Sequence, residues 1–231
     1  MKTRSACRSG TVAALLMIAA LAPVHAAPVA SFGPLSAGWN VGTGQTNEGF
    51  TISSNATPQV ELGLRSQDYL TGVSSTTGDG IYRVQAGERA PGSGLARWNI
   101  DLSAYTYESV IIGNWDLQLD IDWNPGAGST LVSYDIDAQL ELMGTYTTRT
   151  QASQNLGFDY WGQAFDPEAL GTYRFTLSAF DRNDPDNPGA LVASTTIDVI
   201  VEAGQSVPEP GSLALAGLAL GGLLMSRRRT R

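Results

Sequence analysis

Alternation of apolar and polar side chains is the feature of this chain that most limits its fold. In the stretch 116–123, Leu117, Leu119 and Ile121 alternate with polar residues, and the stretch 172–180 alternates in the same way. Successive side chains of a β-strand point to opposite faces of the sheet. This period of two therefore predicts strands with one buried face and one solvated face.

Eight apolar or alternating runs lie between residues 27 and 205, separated by clusters of Gly, Asn, Asp, Ser and Pro that favour turns. The predicted strands are Gly49–Ser53, Gln59–Arg65, Ile81–Gln85, Arg97–Leu102, Asp116–Trp123, Leu131–Met143, Thr172–Phe180 and Leu191–Val201. This part of the chain shows no long helical period. We predict one all-β domain over residues 27–205, an antiparallel β-sandwich of the immunoglobulin-like or jelly-roll-like kind.

The first 26 residues have the layout of a secretory signal peptide. Lys2, Arg4 and Arg8 form a basic region, and an almost uncharged apolar run follows from residue 12 to residue 24. The run is too short to span a membrane, and small residues follow it up to Ala26. We predict cleavage after Ala26 and export by the Sec-type machinery.

Cleavage of this leader would remove three residue types, because Cys7, His25 and Lys2 are the single cysteine, histidine and lysine of the chain. Their loss excludes disulfides, thiol nucleophiles, zinc sites built on Cys or His, Ser-His-Asp triads and Schiff-base lysines. An exported domain without disulfides must depend on its own hydrophobic core, for which this length is sufficient.

The predicted domain is strongly acidic. Residues 27–206 carry seven arginines against twenty-one Asp and Glu, which gives a net charge of −14. All other basic residues lie in the two ends of the chain. Such a surface repels phosphate backbones, so nucleic acid is excluded as a partner, and the same charge keeps an exported protein soluble.

The C-terminal end combines a proline-rich tetrapeptide, an apolar run and a basic tail. The run Leu213–Met225 would form a helix of about 20 Å, which is short for a hydrocarbon core of about 30 Å. Ser212 and Ser226 can extend it and arginines can snorkel, so we predict a short transmembrane helix over about 212–226. The positive-inside rule then keeps the tail 227–231 cytoplasmic and the acidic domain outside. The residues that set this topology are Arg227, Arg228 and Arg229.

This order of elements resembles the PEP-CTERM sorting signal of Gram-negative bacteria, in a tag that spans residues 206–231. The motif residues are Val207, Pro208, Glu209 and Pro210. The resemblance implies recognition by exosortase, a membrane cysteine protease-transpeptidase, and processing near the Pro-Glu-Pro element. It also implies a transient inner-membrane anchor with the domain on the periplasmic side, followed by transfer to the cell surface or to the extracellular polysaccharide or biofilm matrix.

The body of the chain also resembles a recurrent type of exported bacterial protein that carries the same tag. The similar runs are residues 60–65, 97–101, 154–158 and 165–167. This resemblance covers most of the predicted mature chain, and it implies no activity.

Paired carboxylates are the residues that could bind a metal. Asp120 with Asp122, and Asp135 with Asp137, lie two residues apart in predicted strands and so share a face. If the two strands are neighbours, the four carboxylates converge and could bind calcium, which takes six to eight oxygen ligands. A solvated acidic face is the alternative, and it is favoured because like charges across a strand pair cost stability.

Aromatic and acidic residues offer two further functions. Trp161 lies in a glycine-flanked segment and could stack against a sugar ring, although most tryptophans in a domain of this size are buried. Pairs of carboxylates could serve a glycosidase, but any acidic β-domain contains such pairs by chance.

We therefore expect a non-enzymatic exported protein, with no cofactor, that has a structural or adhesive role at the surface or in the matrix. A carbohydrate-binding or calcium-dependent adhesion module is the alternative. A secreted hydrolase that uses carboxylates is the third hypothesis.

Overall fold

The structure is a computed structural model, which describes most of the predicted domain. The described residues are 29–41, 46–56, 59–72, 75–107, 112–136, 148–182 and 189–204. The predicted signal peptide and the predicted sorting tag, with its transmembrane helix, lie outside these residues. In the part of the chain that is described, no helix has the length and apolar character needed to cross a membrane.

Eleven strands form two sheets. In chain order the strands are β1 Val29–Gly33, β2 Phe50–Ala56, β3 Gln59–Asp68, β4 Ser75–Thr76, β5 Ile81–Gln85, β6 Trp98–Thr106, β7 Trp115–Asp122, β8 Leu131–Asp135, β9 Arg149–Gln154, β10 Gly171–Asp181 and β11 Leu191–Glu202. Sheet A has the order β1-β2-β3-β6-β9, and sheet B has the order β4-β5-β11-β10-β7-β8.

The two sheets pack face to face around an apolar core. Strand β3 contributes Val60, Leu62 and Leu64 from sheet A, and β10 contributes Phe175 and Leu177 from sheet B, all fully buried. On β7 the apolar side chains of the alternating run are buried, whereas the polar side chains between them are exposed or half-buried. The strand and the buried face that were predicted from this alternation are confirmed.

Strand pairing departs from the sequence-based expectation at one place. Among the described strands every pair is antiparallel except β5 with β11, which run parallel from the pair Ile81–Asp198 to the pair Gln85–Glu202. A purely antiparallel sandwich was therefore a wrong prediction here. The two strands are distant in sequence and no hairpin links them, so chain connectivity does not impose an antiparallel arrangement. The choice between an immunoglobulin-like and a jelly-roll-like order stays a prediction.

Strands β1, β4 and β9 were not predicted, and one predicted strand is shorter than expected. Strand β9 has the sequence RTQASQ, which shows no apolar alternation. Strand β8 begins at Leu131 as predicted but ends at Asp135. The remainder of the predicted strand Leu131–Met143 lies mostly in residues 137–147, outside the described residues.

Sheet A is also covered on its outer face, because a segment of irregular chain crosses it. We call this segment the strap, residues 34–41 and 46–49. The strap and β2 share a second apolar cluster, which consists of Leu35, Trp39, Phe50 and Ile52. The strap lies close to the sheet at Gly63, where a Cβ atom would overlap the side chain of Leu35. Both faces of sheet A are therefore buried at its central strands β3 and β6.

The close approach between Gly171, at the start of β10, and the loop that contains Pro125 can be tested by substitution. Gly171 has a φ of +137°, and a Cβ atom there would overlap the carbonyl oxygen of Pro125. The same oxygen accepts a 3.0 Å hydrogen bond from the amide of Thr172, which holds it in place. We expect Gly171→Ala to lower the free energy of unfolding by about 3 kcal/mol or more in urea titrations.

Gly92 supplies the control for that substitution. Its φ is +75°, but a Cβ atom there would meet no atom within 4 Å. Gly92→Ala should cost only about 1 kcal/mol, because it carries the backbone penalty without the overlap. Equal losses in the two variants would contradict the packing described at Pro125.

Candidate functional site

The most strongly built polar cluster in the described residues is the clasp that fixes the strap to sheet A. At its centre Arg65 of β3 donates from Nε to Asp101 of β6 over 2.7 Å. Its Nη1 donates to the backbone oxygens of Thr46 and Glu48 in the strap, at 2.9 and 2.8 Å. The guanidinium also lies 4.3 Å from the centre of the Phe50 ring. One arginine thus links two strands to the strap.

Burial determines the electrostatics of this clasp. The side chain of Arg65 is 2% exposed and that of Asp101 is 0% exposed. Burial raises the pKa of Asp101 from its ordinary 3.8 to about 6, while Arg65 and Ser153 lower it. Because this pKa is higher in the folded protein than in the unfolded chain, the carboxyl contributes stability at low pH that is lost as the pH rises through about 6.

A second polar contact fixes the beginning of the strap. Ser36 donates from its amide and its hydroxyl to the buried carboxylate of Glu61, at 2.9 and 2.6 Å. Tyr107 donates to the same carboxylate over 2.9 Å. A serine hydroxyl beside a carboxylate could suggest a nucleophile and its base. Here the carboxylate accepts three hydrogen bonds, two of them from Ser36 itself, so the geometry suits positioning of the strap.

A cavity of about 600 Å³ opens where the strap leaves the edge of sheet A. Arg65 forms part of its wall, but Nε and Nη1 of Arg65 are already bonded to Asp101 and to the strap. The other lining residues are Phe32, Gly33, Pro34, Thr46, Glu48, Gly49, Gly72 and Thr76. We assign no ligand to this cavity, because Arg65 holds the fold together and the other charged lining residue, Glu48, is exposed to solvent.

The structure places three of the four predicted calcium ligands on the outer face of sheet B. Asp120 faces Ser133 across the β7–β8 pair, and Asp135 faces Gln118. Asp120 accepts a 2.8 Å hydrogen bond from Gln118 and another from Ser133. The β7 and β8 strands are neighbours, as the calcium hypothesis requires, but Asp120, Asp122 and Asp135 face Ser133, Leu131 and Gln118 rather than carboxylates.

Asp122 is held by the turn that follows β7. Its carboxylate accepts hydrogen bonds from the backbone amides of Thr130, over 2.7 Å, and of Asn124, over 3.2 Å. Burial raises the pKa of Asp122, but these backbone bonds outweigh it and the net pKa is lowered. Asp137, the fourth predicted ligand, lies outside the described residues. Within the described ranges no group of three or more His, Cys, Asp or Glu could hold a metal ion. The calcium site with four carboxylates stays a prediction.

Trp161, the predicted sugar contact, lies in the core. Its side chain is 3% exposed, and its indole N–H donates to the backbone oxygen of Asn155 over 2.8 Å. The ring packs edge-on against Tyr134 and Trp123, with centroid distances of 4.8 and 6.2 Å. This burial argues against a sugar contact through the indole face.

The exposed aromatic ring of this segment belongs to the preceding residue. Tyr160 is 49% exposed, and its ring rests on Phe158 and Trp161 with centroid distances of 5.4 and 5.1 Å. Gly162 ends the short 3₁₀ turn with a φ of +66°. The supporting rings hold one face of Tyr160 against the protein and leave the rest of the ring accessible to solvent.

The arginines of the domain contribute little free positive charge. Five of the seven form ion pairs with carboxylates: Arg65–Asp101, Arg83–Glu202, Arg97–Asp68, Arg174–Asp198 and Arg182–Asp116. Arg89 stacks on Tyr69, and Arg149 donates to the backbone of Ala37. The acidic residues in excess of these pairs give the surface its negative character.

The last strand leads directly toward the predicted tag. Strand β11 is paired to its final residue, since Glu202 faces Gln85 and its carbonyl accepts a 2.8 Å bond from the amide of Ala86. The description of the chain ends at Gly204. The motif residues Val207, Pro208, Glu209 and Pro210, and the topology residues Arg227, Arg228 and Arg229, lie outside the described residues.

Comparison with known proteins identifies this C-terminal segment. Residues 206–229 match the PEP-CTERM protein-sorting motif. No curated protein matches the chain, and no solved structure matches it. The sorting signal expected from the sequence is therefore supported at its expected position, while the resemblance of the body to other exported proteins has no support from relatives.

The clasp offers a test of the buried ion pair. Arg65→Met removes the charge and the bonds to the strap, so we expect the free energy of unfolding to fall by about 3–5 kcal/mol at pH 8. Without Arg65 the pKa of Asp101 should rise further. At pH 5, below the wild-type pKa of about 6, the carboxyl is mostly protonated in both proteins, so the loss relative to the wild type should be smaller there. Urea unfolding at the two pH values measures both effects.

Arg174→Met is the matched control. Arg174 also pairs with one carboxylate, Asp198, but its side chain is 62% exposed. Its replacement should cost at most about 1 kcal/mol at either pH. A loss in Arg65→Met that is the same at pH 5 and pH 8 would contradict the role assigned to Asp101.

Proposed function

We propose that this protein, whose residues 206–229 match a PEP-CTERM sorting motif, is displayed on the cell surface or in the extracellular matrix of a Gram-negative bacterium, where it has a structural or adhesive role. The motif indicates an exported protein that is targeted to exosortase at the membrane. This match, immediately after the last strand of a β-sandwich, is the observation that carries the proposal.

The order of events follows from the layout of the chain. The Sec-type machinery exports the domain and the leader is removed. The apolar segment and the arginines at 227–229 then hold the protein transiently in the inner membrane, with the domain on the periplasmic side. Exosortase processes the chain near Pro208–Pro210, and the acidic domain moves outward. The loss of the basic end leaves a product whose strong negative charge supports its solubility.

We propose a non-enzymatic role. The predicted mature chain contains no Cys, His or Lys, so thiol nucleophiles, histidine bases and Schiff-base lysines are missing from its sequence. In the described residues two serine hydroxyls lie beside buried carboxylates, Ser36 beside Glu61 and Ser153 beside Asp101, and both carboxylates belong to the contacts that fix the strap. In this role the domain contributes a stable fold and a surface for contacts outside the cell, without catalysis.

Sugar binding is the second candidate, and Tyr160 is the observation that favours it. Its half-exposed ring is supported by Phe158 and Trp161, so little conformational freedom is lost when a pyranose stacks on it. The exposed residues Asp159 and Gln163 flank it and offer hydrogen-bonding groups. Neutral polysaccharide is the preferred class, because the net negative charge of the domain repels anionic chains.

Processing is tested by the fate of a motif variant in cells that contain the exosortase. Glu209→Gln should leave most of the protein in the membrane fraction, because the recognition motif is altered while the membrane segment is kept. Glu48→Gln removes an exposed carboxylate of the folded domain instead and should fractionate like the wild type. Immunoblots of membrane, surface and medium fractions measure the distribution. Equal distributions for the two variants would contradict recognition through the motif.

Sugar binding is tested by substitution of the exposed ring. Tyr160→Ala should weaken retention on immobilised matrix polysaccharide about tenfold, or ~1.4 kcal/mol, whereas Tyr160→Phe should keep most of it because the stacking face is retained. Leu170→Ala removes an apolar side chain of similar exposure, 54%, and serves as the control. Unchanged retention in Tyr160→Ala would exclude this residue as the contact.

A further inference from the structure

The end of β11 is fixed in the sheet on both sides. On one side β11 pairs with β5 up to Glu202, and on the other side it pairs with β10 up to Val201. Val199 and Val201 are buried in the core, and the side chain of Glu202 forms an ion pair with Arg83. The folded domain therefore holds the chain firmly up to residue 202.

The sorting motif follows after a very short distance. Residues 203–207 are the only ones between Glu202 and Pro208. A fully extended chain spans at most about 3.5 Å per residue, so Pro208 lies within about 20 Å of the end of the sheet. A protease that binds several extended residues around its cleavage site would use most of this length.

The loops around the end of β11 are bonded to one another. The amide of Gly87, just after β5, donates to the carbonyl of Pro167 over 2.8 Å. The amide of Thr172, at the start of β10, donates to the carbonyl of Pro125 over 3.0 Å, and Gly171 packs directly against that carbonyl. These loops form a bonded surface around the end of β11.

We infer that this end of the sandwich is the surface that faces exosortase during processing, and that residues 203–207 are a spacer of near-minimal length. The inference rests on the proposed processing by exosortase. The surface carries the exposed carboxylates of Asp166 and Glu168. It therefore fits an enzyme whose periplasmic rim is neutral or basic, and an anionic lipid surface repels it.

The test varies spacer length in the full chain, expressed in cells that contain the exosortase. Deletion of residues 203–205 joins Glu202 to Ser206 without altering the strand or the matched segment 206–229. We expect the processed fraction to fall at least tenfold. A second variant with Ala203→Gly and Gln205→Gly keeps the length and changes the side chains, and should be processed like the wild type. A third variant with four extra Gly and Ser residues after Gly204 should also be processed normally.

The possible outcomes distinguish the spacer inference from the proposed processing by exosortase. If the wild type is not processed, the proposed function fails. If the wild type and the deletion variant are processed equally, the spacer inference is wrong and processing by exosortase stands. Loss of processing in the glycine variant would also overturn the inference, because it would show that the enzyme reads these side chains. The melting temperature of each exported variant shows whether the domain remains folded.

Discussion

Burial of sheet A on both faces is the constraint on which the rest of the structure depends. The inner face packs on sheet B, as in any sandwich, and the outer face lies beneath the strap. A buried outer face forces its charged residues to find partners within the protein. Arg65 meets this requirement, since it binds Asp101 and two strap carbonyls, and Glu61 meets it through Ser36 and Tyr107. Without disulfides, these contacts and the apolar core must hold the exported domain together.

Charge is distributed unevenly between the folded domain and the two ends of the chain. The arginines of the domain are bonded within it, and the acidic residues are in excess. The remaining basic residues lie in the predicted signal peptide and in the C-terminal segment, where the proposal gives them the role of setting orientation relative to the membrane. Because β11 is paired up to Glu202, the boundary between these parts is sharp. The domain can thus remain folded while the segment after it is processed.

The all-β class, most strands and the buried face of β7 could be predicted from the sequence. Alternation of apolar and polar residues indicates a strand with one buried face and one solvent-exposed face. The same rule failed where both faces are buried. Arg65 and Glu61 alternate with leucine and valine on β3, a pattern that predicts a solvated face, and only the close approach at Gly63 reveals the strap. Trp161 was predicted as a possible sugar contact because its segment is flanked by glycine. The sequence pattern does not show which of the adjacent rings, Tyr160 or Trp161, is exposed to solvent.

The intact mass of the protein collected from the surface or the medium tests the central claim most directly. If exosortase processes a folded exported domain, the mass should correspond to a chain that begins near Ala27 and lacks Leu213–Arg231, with any attached group adding to it. In cells without exosortase, the C-terminal segment should remain and the protein should stay with the membrane. A surface or secreted product that retains Leu213–Arg231 in cells with the enzyme would contradict the account.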